Sequence, residues 1–214
     1  FKMLLMFSNA KSGLSAKYLE RELNVTYKTA GRMLNLIRKS LKQSKEFLKG
    51  DIEMDETYFG GKGYGGKYNQ FHSQNMKDKS VIIGAAERKG IMRAEVSPNA
   101  KAKTIGNFLD KNVDLVNTRR LLTDESNRYD RVARGFDRFS VRHKSKEFVR
   151  GDVHVNNMES FWSHIKRSIK GTHKVVSKKY LPAYLDGFVW HYNNRRNDRE
   201  RFSSLLGALL SPAK

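Results

Sequence analysis

The sequence predicts an α/β protein with a mixed sheet and flanking helices, preceded by a small all-α helix-turn-helix domain. Two changes of pattern support this prediction. Apolar residues recur at helical spacing up to residue 49, and from Gly50 they alternate with a period of two, as in a half-buried strand. Later in the chain, strand patterns alternate with helical ones. We therefore expect two domains, residues 1–49 and residues 50–214.

The first domain is predicted to contain two helices joined by a tight turn. Ser15 can cap a helix over 16–23, and Thr26 can cap a longer, basic helix over 27–41. Two such helices describe a helix-turn-helix, whose second helix reads DNA. The residues expected to contact DNA at the start of this helix are Tyr27, Lys28 and Arg32. An ordinary helical hairpin packed on the next domain is the alternative.

The second domain is predicted to contain five strands and four helices. The strands are expected over 51–55, 81–86, 91–96, 120–123 and 139–142. The helices are expected over 102–112, 127–133, 156–170 and 179–193, followed by a weakly apolar tail. The first three strands are consecutive, and the second and third form a hairpin. Strands then alternate with helices, and this combination predicts a mixed sheet.

The charge balance points to a nucleic-acid partner. The 214 residues include 42 Lys and Arg but 22 Asp and Glu, a net charge of +20 spread along the chain. This favours nucleic acid over a solvated surface or a membrane-surface patch. The absence of Cys excludes a disulfide or a Cys-based zinc site within these residues. Apolar runs are too short for a membrane helix and no signal peptide is visible, so we expect a cytoplasmic protein without a membrane partner.

Three acidic residues, which we call the acidic trio, fit one chemistry. Asp55 ends the alternating run, Asp124 closes a short apolar run, and Glu159 lies near the start of the helix predicted over 156–170. Two carboxylates at strand ends and one on a helix can converge on a pair of Mg²⁺ ions that act on a nucleic-acid phosphodiester. Each acid alone has an ordinary interpretation, because Asp often begins a turn and most helical Glu residues lie on the surface.

The neighbours of the trio have candidate roles. On a helical wheel, Lys166 and Lys170 fall within about 20° of Glu159 and could reach a DNA backbone. His154 and Asn156 flank the same helix and could position Glu159 or a phosphate. By alternation, Glu53 and Asp51 share the face of Asp55, as supporting groups or as exposed side chains, and Glu56 points to the opposite face.

A glycine-rich loop over 60–66 follows the first predicted strand. It lacks the spacing of a phosphate-binding loop, but its basic residues Lys62 and Lys67 could follow a DNA strand. For His143 and His154, a three-histidine zinc site is the alternative interpretation, and the spacing of the histidines gives it little support.

Several of these motifs together resemble the IS1595-type (ISXO2-like) insertion-sequence transposases of the DDE superfamily. The first two acids are 69 positions apart (124 − 55), and 34 residues separate Asp124 from Glu159, as in the superfamily's D-D-E pattern. Lys166, followed by Arg167, matches the basic residue seven positions after the Glu. The motifs that carry the resemblance are Asp55-Glu56-Thr57-Tyr58-Phe59-Gly60-Gly61-Lys62, Thr123-Asp124, His154-Val155-Asn156-Asn157-Met158-Glu159, and Tyr192-Asn193-Asn194-Arg195-Arg196.

The resemblance implies an RNase H-like catalytic core that acts as a homodimer or larger assembly on paired DNA ends. It implies strand cleavage by water at transposon ends, then attack of the freed 3′-hydroxyl on target DNA, with two Mg²⁺ or Mn²⁺ ions held by the acidic trio. Lys166, with Arg167 and Lys170 nearby, would contact DNA. Family members commonly carry a Cys-rich zinc ribbon before the helix-turn-helix, and these residues contain no Cys.

Two other functions fit parts of the sequence. A DNA-binding regulator derived from a transposase would need only the helix-turn-helix and the positive charge, although all three acids and Lys166 remain. An RNase H-like nuclease would use the same acids to cut branched or hybrid substrates without strand transfer.

Overall fold

A computed structural model of the protein describes residues 1–60, 79–141 and 154–210. The chain forms two compact units, one made of Phe1–Lys45 with Ser163–Lys214 and the other of Glu46–Trp162. The functional division at residue 49 inferred from the sequence stays a prediction. Within the three described ranges, no helix is long and apolar enough to cross a membrane.

Helices account for most of the first unit. The helices of the whole described chain are α1 Lys2–Asn9, α2 Ala16–Leu23, α3 Tyr27–Ser40, α4 Ala102–Asn112, α5 Asn156–Ser168, α6 Leu181–Asn193 and α7 Arg201–Leu210. A π-helical segment, Ile169–His173, follows α5 directly. Helix α7 replaces the weakly apolar tail expected from the sequence, and its Leu205 is fully buried against α1 and α3.

The turn between α2 and α3 has the predicted caps. Ser15 Oγ accepts a hydrogen bond from the Tyr18 amide at 3.1 Å, and Thr26 Oγ1 accepts one from the Thr29 amide at 3.2 Å. Asn24 adopts a left-handed conformation that ends α2. These local signals explain why both helices begin where the sequence predicts.

The second unit is built on a five-stranded mixed sheet. Its strands are β1 Leu48–Phe59, β2 Ser80–Glu87, β3 Met92–Ser97, β4 Val113–Asp124 and β5 Arg138–Val141, in the order β3-β2-β1-β4-β5. The first three strands pair antiparallel, whereas β4 runs parallel to both β1 and β5. The prediction of a mixed sheet with flanking helices is therefore confirmed.

Each face of this sheet has its own apolar packing. On one face, Ile52 and Leu121 pack with Ile105 and Phe108 of α4. On the other face, a smaller cluster contains residues of β4, β5 and the segment before α5, namely Leu122, Val141 and Val155. The second cluster places the beginning of α5 against the sheet.

Three sequence predictions about the second unit are wrong. The segment 127–133 is a series of turns rather than a helix, because it is held by the fully buried Tyr129 and by local hydrogen bonds. Strand β4 begins at Val113 instead of residue 120. Its first half is largely exposed, and the adjacent apolar residues Leu115 and Val116 give no strand alternation. Strand β1 continues to Phe59, so Asp55 lies inside the strand and not at its end.

Candidate active site

The parallel pairing of β1 and β4 brings the first two members of the acidic trio level with each other. Glu53 is the partner of Leu122, and two further residues along both strands lead to Asp55 and Asp124. Paired residues on parallel strands project to the same face, so both carboxylates share one face of the sheet. Both residues are half-buried. Asp124 closes its strand, as the sequence predicts.

Helix α5 carries the third acid over the same face. Glu159 lies in the first turn of α5, and its amide donates to the Val155 carbonyl at 3.1 Å. The helix packs on Gly84, the residue of β2 that pairs with Asp55. A Cβ atom at Gly84 would lie 2.8 Å from side-chain atoms of Met158 and Trp162, so the glycine allows the helix to approach.

The other two acids of the trio act on the ionisation of Asp55. Burial raises the pKa of Asp55 from its ordinary value of 3.8 to about 7. The negative charges of Glu56, Asp124 and, to a smaller extent, Glu159 act in the same direction, and a backbone hydrogen bond from Glu56 opposes them. The pKa is raised because ionising Asp55 would add another negative charge to a desolvated acidic cluster.

The donor chemistry of the trio fits a hard divalent cation. Carboxylate oxygens are the ligands that Mg²⁺ and Mn²⁺ take, and a cation would offset the charge repulsion that acts on Asp55. Within residues 1–60, 79–141 and 154–210, however, no three His, Cys, Asp or Glu side chains are arranged so that they could hold a metal ion. The residue types and the common face of Asp55 and Asp124 fit the cation, although the trio does not form such a ligand cluster.

Glu53 is a buried member of the site whose role the sequence left open. Its side chain has no exposed surface and accepts hydrogen bonds from Arg88 Nε at 3.0 Å and from Asn157 at 2.8 Å, through both the amide and Nδ2. His154 Nδ1 lies 3.5 Å from the same carboxylate. Sequence reasoning missed Arg88 and Asn157, although an Asn in the first turn of a helix was a usable signal.

A second buried carboxylate, Glu56, lies on the opposite face, as the alternation predicts. It accepts hydrogen bonds from the Tyr129 hydroxyl at 2.5 Å and from Arg128 Nη1 at 2.6 Å. Burial raises the pKa of Glu56, while these two donors lower it. The contacts attach the turns that follow Asp124 to β1.

Asp51 belongs to a separate ion-pair cluster at the beginning of β1. Its carboxylate accepts hydrogen bonds from Arg119 and Arg120, with shortest distances of 2.5 Å and 2.6 Å. These bonds hold the pKa of Asp51 well below its usual range. The structure thus separates Asp51, which is neutralised by arginines, from Asp55, which faces other acids.

The remaining predicted site residues lie in several places. On α3, Tyr27, Lys28 and Arg32 are exposed, and so are Lys166 and Arg167 in the last turn of α5 and Lys170 in the π-helical segment. The Asn156 amide donates to His154 Nδ1 at 3.4 Å, and the residue itself is exposed. The predicted contacts Lys62 and Lys67, and His143, lie outside the described residues.

The family of the chain follows from its match to known sequences. The ISXO2-like transposase domain matches residues 47–193, which is more than half of the chain. The chain therefore belongs to the ISXO2-like, IS1595-type transposase family. Membership supports a transposase-related function.

The chain is also similar to a protein from a transposable element, which is consistent with this family. An uncharacterized protein in transposable element ISH50 of Halobacterium salinarum is 29% identical to this chain over 202 residues. The matched region covers 86% of this chain and 66% of the relative. The chain thus spans slightly less than two thirds of the length of this relative.

Proposed function

We propose that the protein is a DNA transposase that cleaves strands at transposon ends and joins the freed 3′-hydroxyl to target DNA. The observation that supports this most strongly is the acidic trio, because the register of β1 and β4 gives Asp55 and Asp124 one common face and α5 carries Glu159 over that face. Acidic residues on one face of a mixed sheet can bind the metal ions used in phosphodiester cleavage. The net charge of +20 favours DNA as the substrate.

In this proposal, Asp55, Asp124 and Glu159 hold two Mg²⁺ or Mn²⁺ ions. When bound, the ions would activate the attacking oxygen and stabilise the leaving one. The sheet fixes the backbone of Asp55 and Asp124, so these two side chains supply the rigid part of the site. Since Asp55 binds a proton up to about pH 7, cations and protons would compete for it.

The remaining parts of the proposal concern fold and DNA contacts. The strand order β3-β2-β1-β4-β5 and the covering helices support an RNase H-like core. The capped pair α2 and α3 supports a helix-turn-helix that reads transposon ends. Lys166, Arg167 and Lys170 would contact the DNA backbone, since their side chains are exposed and basic. A homodimer or larger assembly would hold two DNA ends together.

A cleavage and strand-transfer assay tests this proposal. Labelled DNA carrying the element's end is incubated with Mg²⁺ or Mn²⁺ and with the wild type, Asp55→Ala or Glu159→Ala. Nicking that leaves a 3′-hydroxyl, together with a joined product, is expected for the wild type and is lost in both variants. Glu95→Gln, which changes an acid of β3 paired with Lys111, is the matched control and should keep activity.

Two results would replace the proposal. Metal-dependent cleavage without any joined product would indicate an RNase H-like nuclease. Tight DNA binding by a wild type that cleaves with neither metal would indicate a DNA-binding regulator.

A further inference from the structure

We propose that Glu53 is a positioning residue that sets the place of Glu159 relative to Asp55. This inference rests on the proposed role of the acidic trio in holding divalent cations. Glu53 would act without touching a cation or DNA, because its carboxylate is fully buried and occupied by other protein groups.

Glu53 accepts hydrogen bonds from the first turn of α5. The first amides of a helix have no partner within the helix, so an acceptor outside it must satisfy them. The Asn157 amide is one of these, and it donates to Glu53 Oε2 at 2.8 Å. Asn157 Nδ2 donates to Glu53 Oε1 at the same distance. One carboxylate therefore holds both the backbone and the side chain of this residue, at the helix end where a negative charge is favourable.

Arg88 extends this attachment to the residues before the helix. Its Nε donates to Glu53 at 3.0 Å, and its Nη2 donates to the His154 carbonyl at 3.0 Å. The Arg88 amide donates to the Asp51 carbonyl of β1 at 2.9 Å. The guanidinium thus links β1 to the segment that leads into α5, and its charge compensates the buried carboxylate.

The spacing of these contacts connects them to the trio. Glu53 is two residues before Asp55 and, by alternation, on the same face of β1. Asn157 is two residues before Glu159 in the first turn of α5. The contact between Glu53 and Asn157 therefore joins the strand and the helix at points two residues from each acid. Any loosening of this contact changes the distance between Asp55 and Glu159.

A purely structural role is the competing explanation, since breaking a buried ion pair destabilises most proteins. The two explanations differ in how the effect of Glu53 depends on Glu159. A positioning residue loses its influence on cation binding when Glu159 is removed, whereas a structural residue keeps it.

The experiment measures Mn²⁺ affinity of the full chain by titration calorimetry and electron paramagnetic resonance. Glu53→Gln and Glu159→Ala are compared singly and together, with thermal unfolding recorded for each. We expect Glu53→Gln to weaken Mn²⁺ binding about 10-fold, as changes beside metal ligands do. In the Glu159→Ala background, the same change should have no further effect.

Two further variants distinguish a loss of positioning from a loss of folding. Asn157→Ala removes one hydrogen bond to Glu53 while leaving Arg88 in place, and should give a smaller loss with the same dependence on Glu159. Glu56→Gln is the matched control, since this buried neighbour of Asp55 contacts Arg128 and Tyr129 instead of α5. Its effect on Mn²⁺ affinity should be the same with and without Glu159.

Three results would overturn the inference. If Glu159→Ala weakens Mn²⁺ binding but Glu53→Gln and Asn157→Ala do not, the trio binds cations and Glu53 does not position it. If the loss caused by Glu53→Gln persists without Glu159, Glu53 has only a structural role. If Asp55→Asn leaves Mn²⁺ binding unchanged, the proposed cation site itself fails, and the positioning role fails with it.

Discussion

Replacing Asp55 with Asn is expected to stabilise the metal-free protein at neutral and alkaline pH, although it removes a proposed metal ligand. The folded-state pKa of Asp55, about 7, lies above the ordinary value of 3.8 that applies to the unfolded chain. The wild type therefore loses stability as the pH rises through this interval and the buried carboxyl ionises. At about 1.4 kcal/mol per pKa unit, the loss reaches at most about 4 kcal/mol.

The assay is urea unfolding followed by tryptophan fluorescence, in the presence of a chelator, at several pH values. The stability gained by Asp55→Asn should grow from about 1 kcal/mol at pH 4.5 to about 4 kcal/mol at pH 8, as the linkage requires. Mg²⁺ added in place of the chelator should stabilise the wild type and leave the variant unchanged, because a ligand stabilises the form that binds it. A variant that is less stable than the wild type at pH 8 would refute this reasoning.

Asp51→Asn is the matched control. It changes the same residue type on the same strand, but the pKa of Asp51 is lowered in the folded protein whereas that of Asp55 is raised. Arg119 and Arg120 hold the pKa of Asp51 below its unfolded value, so its contribution is present at neutral pH and is lost as the pH falls below about 4. Asp51→Asn should therefore cost about 2 kcal/mol at pH 8, in the range of hydrogen bonds to charged groups. A gain in stability at pH 8 would contradict the ion pairs.

Three further predictions concern the surroundings of the site. Gly84→Ala should cost about 1–3 kcal/mol in urea unfolding, because the added methyl group would press against Trp162, and unchanged stability would contradict this packing. Tyr129→Phe should cost about 1–3 kcal/mol in the same assay, because the buried Glu56 loses a donor, and a neutral effect would contradict the hydrogen bond. Lys166→Ala should weaken DNA binding and lower the slope of log affinity against log salt by about 1, whereas an unchanged slope would exclude a phosphate contact.

Each of these changes has a control in the same chain. Gly207→Ala adds a methyl group to α7 where, apart from neighbouring residues of the same helix, no atom of the described chain lies within 4 Å, so it should be neutral or stabilising. Tyr18→Phe removes a hydroxyl from a residue that is 40% exposed and should have little effect. Lys103→Ala removes an exposed lysine of α4 and should leave the salt slope unchanged.

The parts of the fold that the sequence predicted are those with local signals. The caps Ser15 and Thr26 set where α2 and α3 begin, and the apolar alternation marks β1. The errors arose where distant contacts decide the structure. The turns after Asp124 depend on Tyr129 reaching Glu56, 73 positions away, and a sequence window contains no sign of this.

The candidate site shows the same limit. The three acids were identified by residue type and spacing, and the shared face of Asp55 and Asp124 follows from the register of β1 and β4. The network around Glu53 could not be predicted, because alternation gives the face of a residue but not its depth. Burial of that carboxylate is decided by Arg88 and Asn157, which come from separate elements.

The pairing of β1 with β4 has a consequence for the order in which the protein is made. The contacts within and between helices α2 and α3 join residues that are near in sequence, and such local contacts form early and quickly. Asp55 and Asp124 meet only after a loop of 69 positions has closed, and Glu159 is synthesised 35 positions later still. A growing chain on the ribosome therefore carries the helices proposed to bind DNA well before it can assemble the three acids. Synthesis itself would delay the proposed cleavage of DNA until the chain has passed α5.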